Sequence, residues 1–205
     1  MSCQAFSRIR GARSEDAADC ARLVLESAAQ FLPAVFVPRI GAAIERLAAG
    51  RGNLFSHEHT WIAEAEGGRV AGMVLGYTAR QRAAENPRTG LALLRLLGLD
   101  LLSRLGRLHA AQAAIERLET NEYYLSNVAV DQECRGRGIG AALVAAAEQQ
   151  AARAGCSAIV LDVETDNAGA IRLYVKLGFT EKWKTAPLML DGTAFSFFRM
   201  TKPLQ

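Results

Sequence analysis

The sequence predicts a layered α/β fold, a mixed sheet flanked by helices, on three observations. Residues 60–65 and 70–77 are two apolar runs joined by Glu66-Gly67-Gly68-Arg69, which is the pattern of a hairpin. From residue 123 the chain reads strand, helix, strand: YYLSNVAV, an alanine-rich stretch over 139–154 closed by Gly155, then SAIVLDVE. Such a βαβ unit makes its two strands parallel and its crossover right-handed. Between these two units lies a leucine-rich helical segment, residues 81–120.

The remaining elements follow in chain order. A short strand is expected around residues 6–10. Ser14, followed by Glu15 and Asp16, reads as a helix start, with Ser14 as the cap and the acids at the positive end of the dipole. Leu23, Val24 and Ala28 carry its apolar face to about Gln30, and the Pro33–Pro38 segment breaks it. A second helix is expected over 39–49, stopped by Gly50.

Asn86-Pro87 opens the leucine-rich stretch. At about 100° per residue, Asp100, Arg104 and Arg107 share one face and most leucines occupy the others. A broad-faced amphipathic helix or a helical pair is expected, with Gly98 and Gly106 as breaks. A packed core helix is the first reading. A lid over a pocket, a homodimer surface and a membrane-surface helix are the alternatives. After the βαβ unit, 168–177 reads as a short helix ended by Gly178, and the tail as two strands around Asp191-Gly192.

Composition bounds the function classes. The 205 residues suit one domain, 1–205, carrying the insertion at about 81–120. Half the residues are hydrophobic and 22% are charged, an ordinary globular balance. Net charge is only +3 and the 24 basic residues are spread along the chain, which argues against a nucleic-acid partner. The four cysteines show no paired spacing, so neither a zinc site nor a disulfide framework is expected. His57 and His59, two apart without further ligands, are read as surface residues, and no metal is expected. The N-terminus has no apolar signal region, and no stretch approaches the roughly 18 residues of a membrane span. A cytoplasmic protein without a membrane span is the expectation.

The segment AVDQECRGRGIGAALV, residues 129–144, carries the chemistry. A glycine-rich turn entering a helix offers unpaired N–H groups and a positive dipole end to an anion. A ligand-free strand-to-helix turn is the plain alternative. A nucleoside triphosphate is excluded because no Lys-Ser or Lys-Thr pair follows the glycines. Gly136-x-Gly138-x-x-Ala141 fits a relaxed dinucleotide fingerprint, with Asp162 in the next strand where a ribose-binding acid belongs. Against it, residues 131–135 separate the strand from the first glycine, and the chain supplies no second mononucleotide half. An NAD-dependent oxidoreductase is therefore the remote alternative.

A third ligand fits more of the chain. Arg135-x-x-Gly138-x-Gly140, after Val128-Ala129-Val130, resembles the pyrophosphate loop of the GNAT superfamily of acetyl-CoA-dependent N-acetyltransferases. Downstream, Asn167-x-x-Ala170-x-x-x-Tyr174-x-x-x-Gly178-Phe179 resembles the next motif of that family. The resemblance covers about residues 123–180 and is looser before. The long connection at 81–120 departs from the compact family pattern.

The resemblance implies a mixed, mostly antiparallel central sheet flanked by helices, with the helical insertion between the third and fourth strands. It implies transfer of an acetyl group from acetyl-CoA to a primary amine by direct attack on the thioester, without a metal. In that reading the backbone of Gly136, Arg137, Gly138, Ile139 and Gly140 meets the pyrophosphate, and the Arg135 and Arg137 side chains add charge-assisted contacts. The main chain of Val128, Ala129 and Val130 pairs with the pantetheine arm. Asn167 contacts that arm and also suits a helix cap; Ala170 belongs to the same motif. Tyr174, protonated at neutral pH with a reference pKa near ~10, donates a proton to the leaving thiolate. Glu122 and Tyr124 share one face of the fourth strand, and Asp162 and Glu164 share a face of the next. Glu122 acting through water is the expected base, unless the amine arrives neutral. The acceptor, a small-molecule or protein amine, is not specified. A non-catalytic acyl-CoA-binding or assembly protein on the same fold, with the insertion as its interaction surface, is the alternative.

Overall fold

The computed structural model describes residues 6–36, 38–104, 106–107 and 118–204. Its strands are β1 (Phe6–Gly11), β2 (Thr60–Ala65), β3 (Val70–Thr78), β4 (Glu122–Val130), β5 (Ala158–Glu164), β6 (Thr180–Lys184), β7 (Leu188–Leu190), β8 (Thr193–Phe195) and β9 (Phe197–Pro203). The helices are α1 (Ala17–Ser27), α2 (Phe31–Val35), α3 (Ile40–Ala49), α4 (Ala79–Leu97), α5 (Leu99–Leu102), α6 (Ile139–Arg153) and α7 (Ala168–Lys176). One sheet has the order β1-β2-β3-β4-β5-β9-β6, and β7 and β8 form a separate ribbon. Within the sheet every neighbouring pair is antiparallel except β4 and β5, which run parallel as the βαβ reading requires.

Helices cover both faces because the central strands are apolar on both. β3, VAGMVLGYT, is buried along nearly its whole length, as a continuous apolar run in a sheet centre should be. On one face, Leu23 and Val24 of α1 and Ile44 and Leu47 of α3 pack on Ile62, Met73 and Leu75, joined by Leu93 and Leu97 of α4. On the other, α6 buries Ile139, Leu143, Val144, Ala147 and Ala151 against Val74, Leu125, Ile159 and Leu161. Those five positions recur at helical spacing and form one stripe.

Several local expectations change. Ser14 does not cap; it opens a single 3-10 turn, and the Asp16 carboxylate accepts the Arg13 N–H at 2.7 Å while pairing with Arg10 at 2.7 and 2.9 Å. The acid wins because it satisfies both the backbone and a neighbouring cation. Helix α1 stops at Ser27, and Pro33 lies inside α2 rather than in a break. The tail supplies two pairs of strands instead of two strands. β6 pairs with β9 in the sheet, while β7 and β8 flank the Asp191-Gly192 turn.

The insertion begins earlier than Asn86. Thr78 and Gln81 form a capping box, Gln81 N–H to Thr78 Oγ1 at 3.1 Å and Thr78 N–H to Gln81 Oε1 at 2.9 Å, so α4 starts at Ala79 and runs through Pro87. A proline there removes one helical bond and costs about 3 kcal/mol or more. Burial of Leu93 and Leu97 and the bond from Leu54 N–H to Thr89 Oγ1, 2.9 Å, hold the helix in place regardless. Gly98, at φ 61°, ends α4 as expected. Residues 108–117, the second half of the leucine-rich stretch, lie outside the described residues. Leu91, Leu94 and Leu99 are exposed, so the described part is not wholly a core helix.

Among the described residues no helix is long and apolar enough to cross a membrane. Cys20 and Cys156 are free and buried. Cys134, fully buried before the glycine loop, is disulfide-bonded, contrary to the expectation from spacing.

Candidate active site

The site exists because two parallel strands part company. β4 and β5 pair from Glu122–Ala158 to Leu125–Leu161 and no further. On its other edge β4 carries a bulge: Leu75 faces Asn127 while the next residue, Gly76, faces Leu125, which leaves Ser126 without a partner. A bulge bends its strand and raises its twist. Gly76 is required there by close approach, since a Cβ would lie 2.5 Å from the Tyr123 ring, whose hydroxyl donates to the Gly76 carbonyl at 2.8 Å. Beyond Leu125 the main chain of β4 is therefore turned away from β5.

Two clefts adjoin this opening. The larger, about 530 Å³, runs between residues 128–130, the glycine loop and α7. The smaller, about 210 Å³, lies between β4, β5, α1 and α2. Tyr174 lines both, together with Ser27, Val128, Asn167 and Ala170.

The loop has the form of an anion cradle. Gly136 and Gly138 adopt φ of 77° and 79°, and nothing stands within 4 Å of a Cβ added to either. Their requirement is conformational rather than spatial. Gly140 is the opposite case, with Leu173 Cδ2 only 3.1 Å from its would-be Cβ, which sets how closely α6 packs on α7. Helix α6 follows at Ile139, so its first N–H groups lack helical acceptors and face the larger cleft with the positive dipole end. Arg135 ties the loop back to the strand, its Nε donating to the Val130 carbonyl at 3.0 Å. Every residue expected to hold the cofactor lines this cleft except Arg137: Val128, Ala129, Val130, Arg135, Gly136, Gly138, Ile139, Gly140, Asn167, Ala170 and Tyr174.

The dinucleotide reading fails on the same geometry. A 3-10 turn, Gln132–Cys134, separates β4 from the glycines, and the sheet is mostly antiparallel rather than doubly wound. Asp162 is consumed elsewhere: Arg199 donates to it through Nε at 2.7 Å and a terminal nitrogen at 2.8 Å, and Tyr124 Oη at 3.0 Å.

On α7, Asn167 caps the helix by accepting the Ala170 N–H at 3.1 Å. Tyr174, about two turns beyond Asn167, is 7% exposed, and its ring lies 5.6 Å from that of Phe179. Burial pushes its hydroxyl up to about 12. Glu122, the expected base, is apart from this group. It lies where β4 and β5 are still paired, accepts the Glu119 N–H at 3.0 Å and Lys182 Nζ at 3.2 Å, and is not in the lining of either cleft. It shares a strand face with Tyr124, but the opening between the strands begins only after Leu125.

The smaller cleft holds what sequence reasoning missed. Its walls include Phe31, Phe55 and Phe197, which come from three distant segments with no shared motif. Asp162 and Glu164, which share a strand face, both line it with Tyr124. The Asp162–Arg199 pair is almost fully buried, at 4% and 2% side-chain exposure. The Glu164 carboxylate receives no hydrogen bond or ion pair from the described residues; burial first, and then Asp166, hold its pKa above the usual carboxylate value.

The histidines lie elsewhere. His59 is buried, not exposed, with Nε2 2.8 Å from Glu85, and His57 Nδ1 is 2.9 Å from the Ala48 carbonyl. Among the described residues no group of three or more potential metal ligands is assembled.

Known proteins resemble this chain in sequence and in fold. Residues 37–179 match the model of the acetyltransferase (GNAT) family. The chain belongs to that family. Its relatives include an uncharacterized N-acetyltransferase of Methanocaldococcus jannaschii, 43% identical over 33% of this chain and 29% of the relative. The ribosomal protein bS18-alanine N-acetyltransferase of Escherichia coli is 37% identical over 35% of this chain and 48% of its own. The chain thus spans less than half the length of these curated relatives. Among solved structures, one reported as an acetyltransferase superposes over 97% of this chain and 100% of its own, with TM-score 0.69 and 28% identity. A protein of Salmonella typhimurium solved with its cofactor acetyl-CoA has TM-score 0.62 at 19% identity over 97% of this chain and 94% of its own, a likeness of fold.

Proposed function

We propose that the protein transfers the acetyl group of acetyl-CoA to a primary amine by direct attack, with Tyr174 as the acid. The observation that carries this reading is that Tyr174 lines both clefts at the point where β4 leaves β5. One cleft has the chemistry for a pyrophosphate-bearing donor and the other for an amine, so the tyrosine stands between the two partners. Acetyl-CoA would supply the activated thioester.

The chain's own contribution is binding, orientation and proton management. Loop N–H groups of 136–140, the start of α6 and Arg135 neutralise the diphosphate. The main chain of residues 128–130, freed from β5 by the splay, pairs with the amide-containing pantetheine arm as an added strand would. An N–H of this segment near the thioester carbonyl stabilises the negative charge that develops on its oxygen. As the amine nitrogen bonds to the carbonyl carbon and the carbon–sulfur bond breaks, Tyr174 donates its proton to the departing sulfur, and the proton lost from the new amide nitrogen passes through solvent to restore the phenol. Its raised pKa keeps it fully protonated until then. Glu122, fixed by Lys182, is not carried into this scheme.

Thermal-shift and thiol-release measurements test the reading together. Acetyl-CoA should raise the melting temperature, and free thiol should appear only when an amine is added. Cofactor binding without turnover across a broad amine panel would favour the non-catalytic alternative, for which the exposed leucines of α4 and α5 offer a surface.

A further inference from the structure

Resting on the acetyl-transfer reading above, we infer that the acceptor is a small primary amine with an apolar body and no carboxylate beside it, and that Glu164 is the residue that selects it. Three features of the smaller cleft lead to this. The first is size. About 210 Å³ falls below the roughly 300–1,000 Å³ of pockets for drug-sized ligands. On its wall Phe31 of α2 meets Phe197 edge-on at 5.1 Å, and Phe195, 5.4 Å from Phe31, backs them with Val35 and Leu190 in one apolar cluster. A polypeptide extending from its amine would need more room than this volume offers.

The second feature is the wall. Phe31, Phe55, Phe197 and Leu32 present hydrocarbon to the cleft, which suits an alkyl or aryl body and desolvates its amine end.

The third is charge. Two carboxylates line the cleft, and no lysine, arginine or histidine does among the described residues. Asp162 is neutralised by Arg199, whose guanidinium is sealed behind it and stacked on the Tyr124 and Trp183 rings at 5.6 and 5.2 Å. Arg82 also lies over the Tyr124 ring, at 5.9 Å, but does not line the cleft. Glu164 is left as the one unpaired charge among the described lining residues, on the strand face that carries Asp162. An ammonium completes it. A substrate carboxylate would find no cation and would be repelled, which discriminates against free amino acids. Glu164 then takes the ammonium proton, directly or through one water, as the nitrogen lone pair engages the thioester carbon.

A matched trio of acceptors tests this: 2-phenylethylamine, phenylalanine, and a short peptide with N-terminal phenylalanine. The three share one body and differ in the carboxylate and the extension. The wild-type protein should use 2-phenylethylamine at least tenfold better, in kcat/KM, than either of the others. Glu164→Gln should raise the KM for 2-phenylethylamine more than tenfold while leaving the Kd for acetyl-CoA unchanged, and Glu164→Asp should recover part of the loss. Equal or better use of phenylalanine or the peptide would overturn the inference and leave acetyl transfer standing. An unchanged amine KM in Glu164→Gln would do the same. Acetyl-CoA binding with no thiol released by any amine would instead remove the acetyl-transfer reading itself, and the inference with it.

Discussion

Tyr174, Glu164 and Asp162 occupy a few adjacent positions around one splayed strand pair, yet removing each should be felt in a different quantity. Tyr174→Phe keeps the ring that packs beside Phe179 and deletes only the proton. The expected result is a kcat lower by about 10²-fold or more, in the range of general acid catalysis, with acetyl-CoA affinity unchanged. Steady-state kinetics beside isothermal titration would show it, and an unaltered kcat would remove Tyr174 from the acid role. Glu164 behaves in the opposite way for stability. Its folded pKa is raised, by burial and then by Asp166, so folding favours the protonated form. That contribution is fully present below the unfolded value near ~4.3 and is lost as pH rises through the folded pKa. Glu164→Gln should therefore raise the melting temperature at pH 7 to 8 and change it little at pH 4. A residue that weakens the fold at working pH while facing a cleft is consistent with retention for function. Asp162→Ala would leave Arg199 buried without its partner, a loss on the order of 3–5 kcal/mol in denaturant unfolding.

At the scale of elements, the glycine loop shows how a motif can be read and still conceal two kinds of constraint. Gly136 and Gly138 are needed for positive φ, with open space around them, so alanine there costs about 1–2 kcal/mol of backbone strain without a collision. Gly140 needs room against Leu173, so a bulkier residue should push α6 from α7 and widen the cradle. Gly138→Ala should lower the melting temperature modestly and weaken acetyl-CoA binding by several fold. Gly140→Val should weaken binding more than its change in melting temperature suggests, as titration calorimetry would detect. Elements with a strong local pattern were legible from sequence: the hairpin β2–β3, the crossover helix α6, the capped helix α7 and the cradle between β4 and α6. Those whose form depends on distant partners were not. Pro33 and Pro87 sit inside helices because Phe31 finds Phe195 and Phe197, and Thr89 finds Leu54. The face shared by Glu122 and Tyr124 was legible too, but not the point along β4 where pairing with β5 stops.

On the scale of the molecule, the insertion is tied to both the C-terminal ribbon and α2. Arg107, following α5, makes a double ion pair with Asp191 in the β7–β8 turn and donates to the Ala34 carbonyl of α2 at 3.0 Å. It thereby fastens α2, whose Phe31 lines the smaller cleft, to the ribbon, whose Phe195 packs on Phe31. The Arg107 contact holds the Asp191 pKa below the ordinary carboxylate value, although partial desolvation acts the other way. With the folded pKa depressed, the link is intact above the unfolded value near ~3.9 and is lost as pH falls through the folded one. Both side chains are substantially exposed, at 31% and 56%, so the pair should add little to global stability and be screened by salt. Its effect belongs to the position of α2 and of Phe31 in the cleft wall. Arg107→Ala should leave the melting temperature within a degree or two and acetyl-CoA affinity unchanged, while raising the amine KM several fold. High salt should raise the wild-type KM toward that of the variant and leave the variant's own KM nearly constant. Amine kinetics at low and high ionic strength would decide it; a KM that responds equally to salt in both proteins would show that α2 holds its place without Arg107.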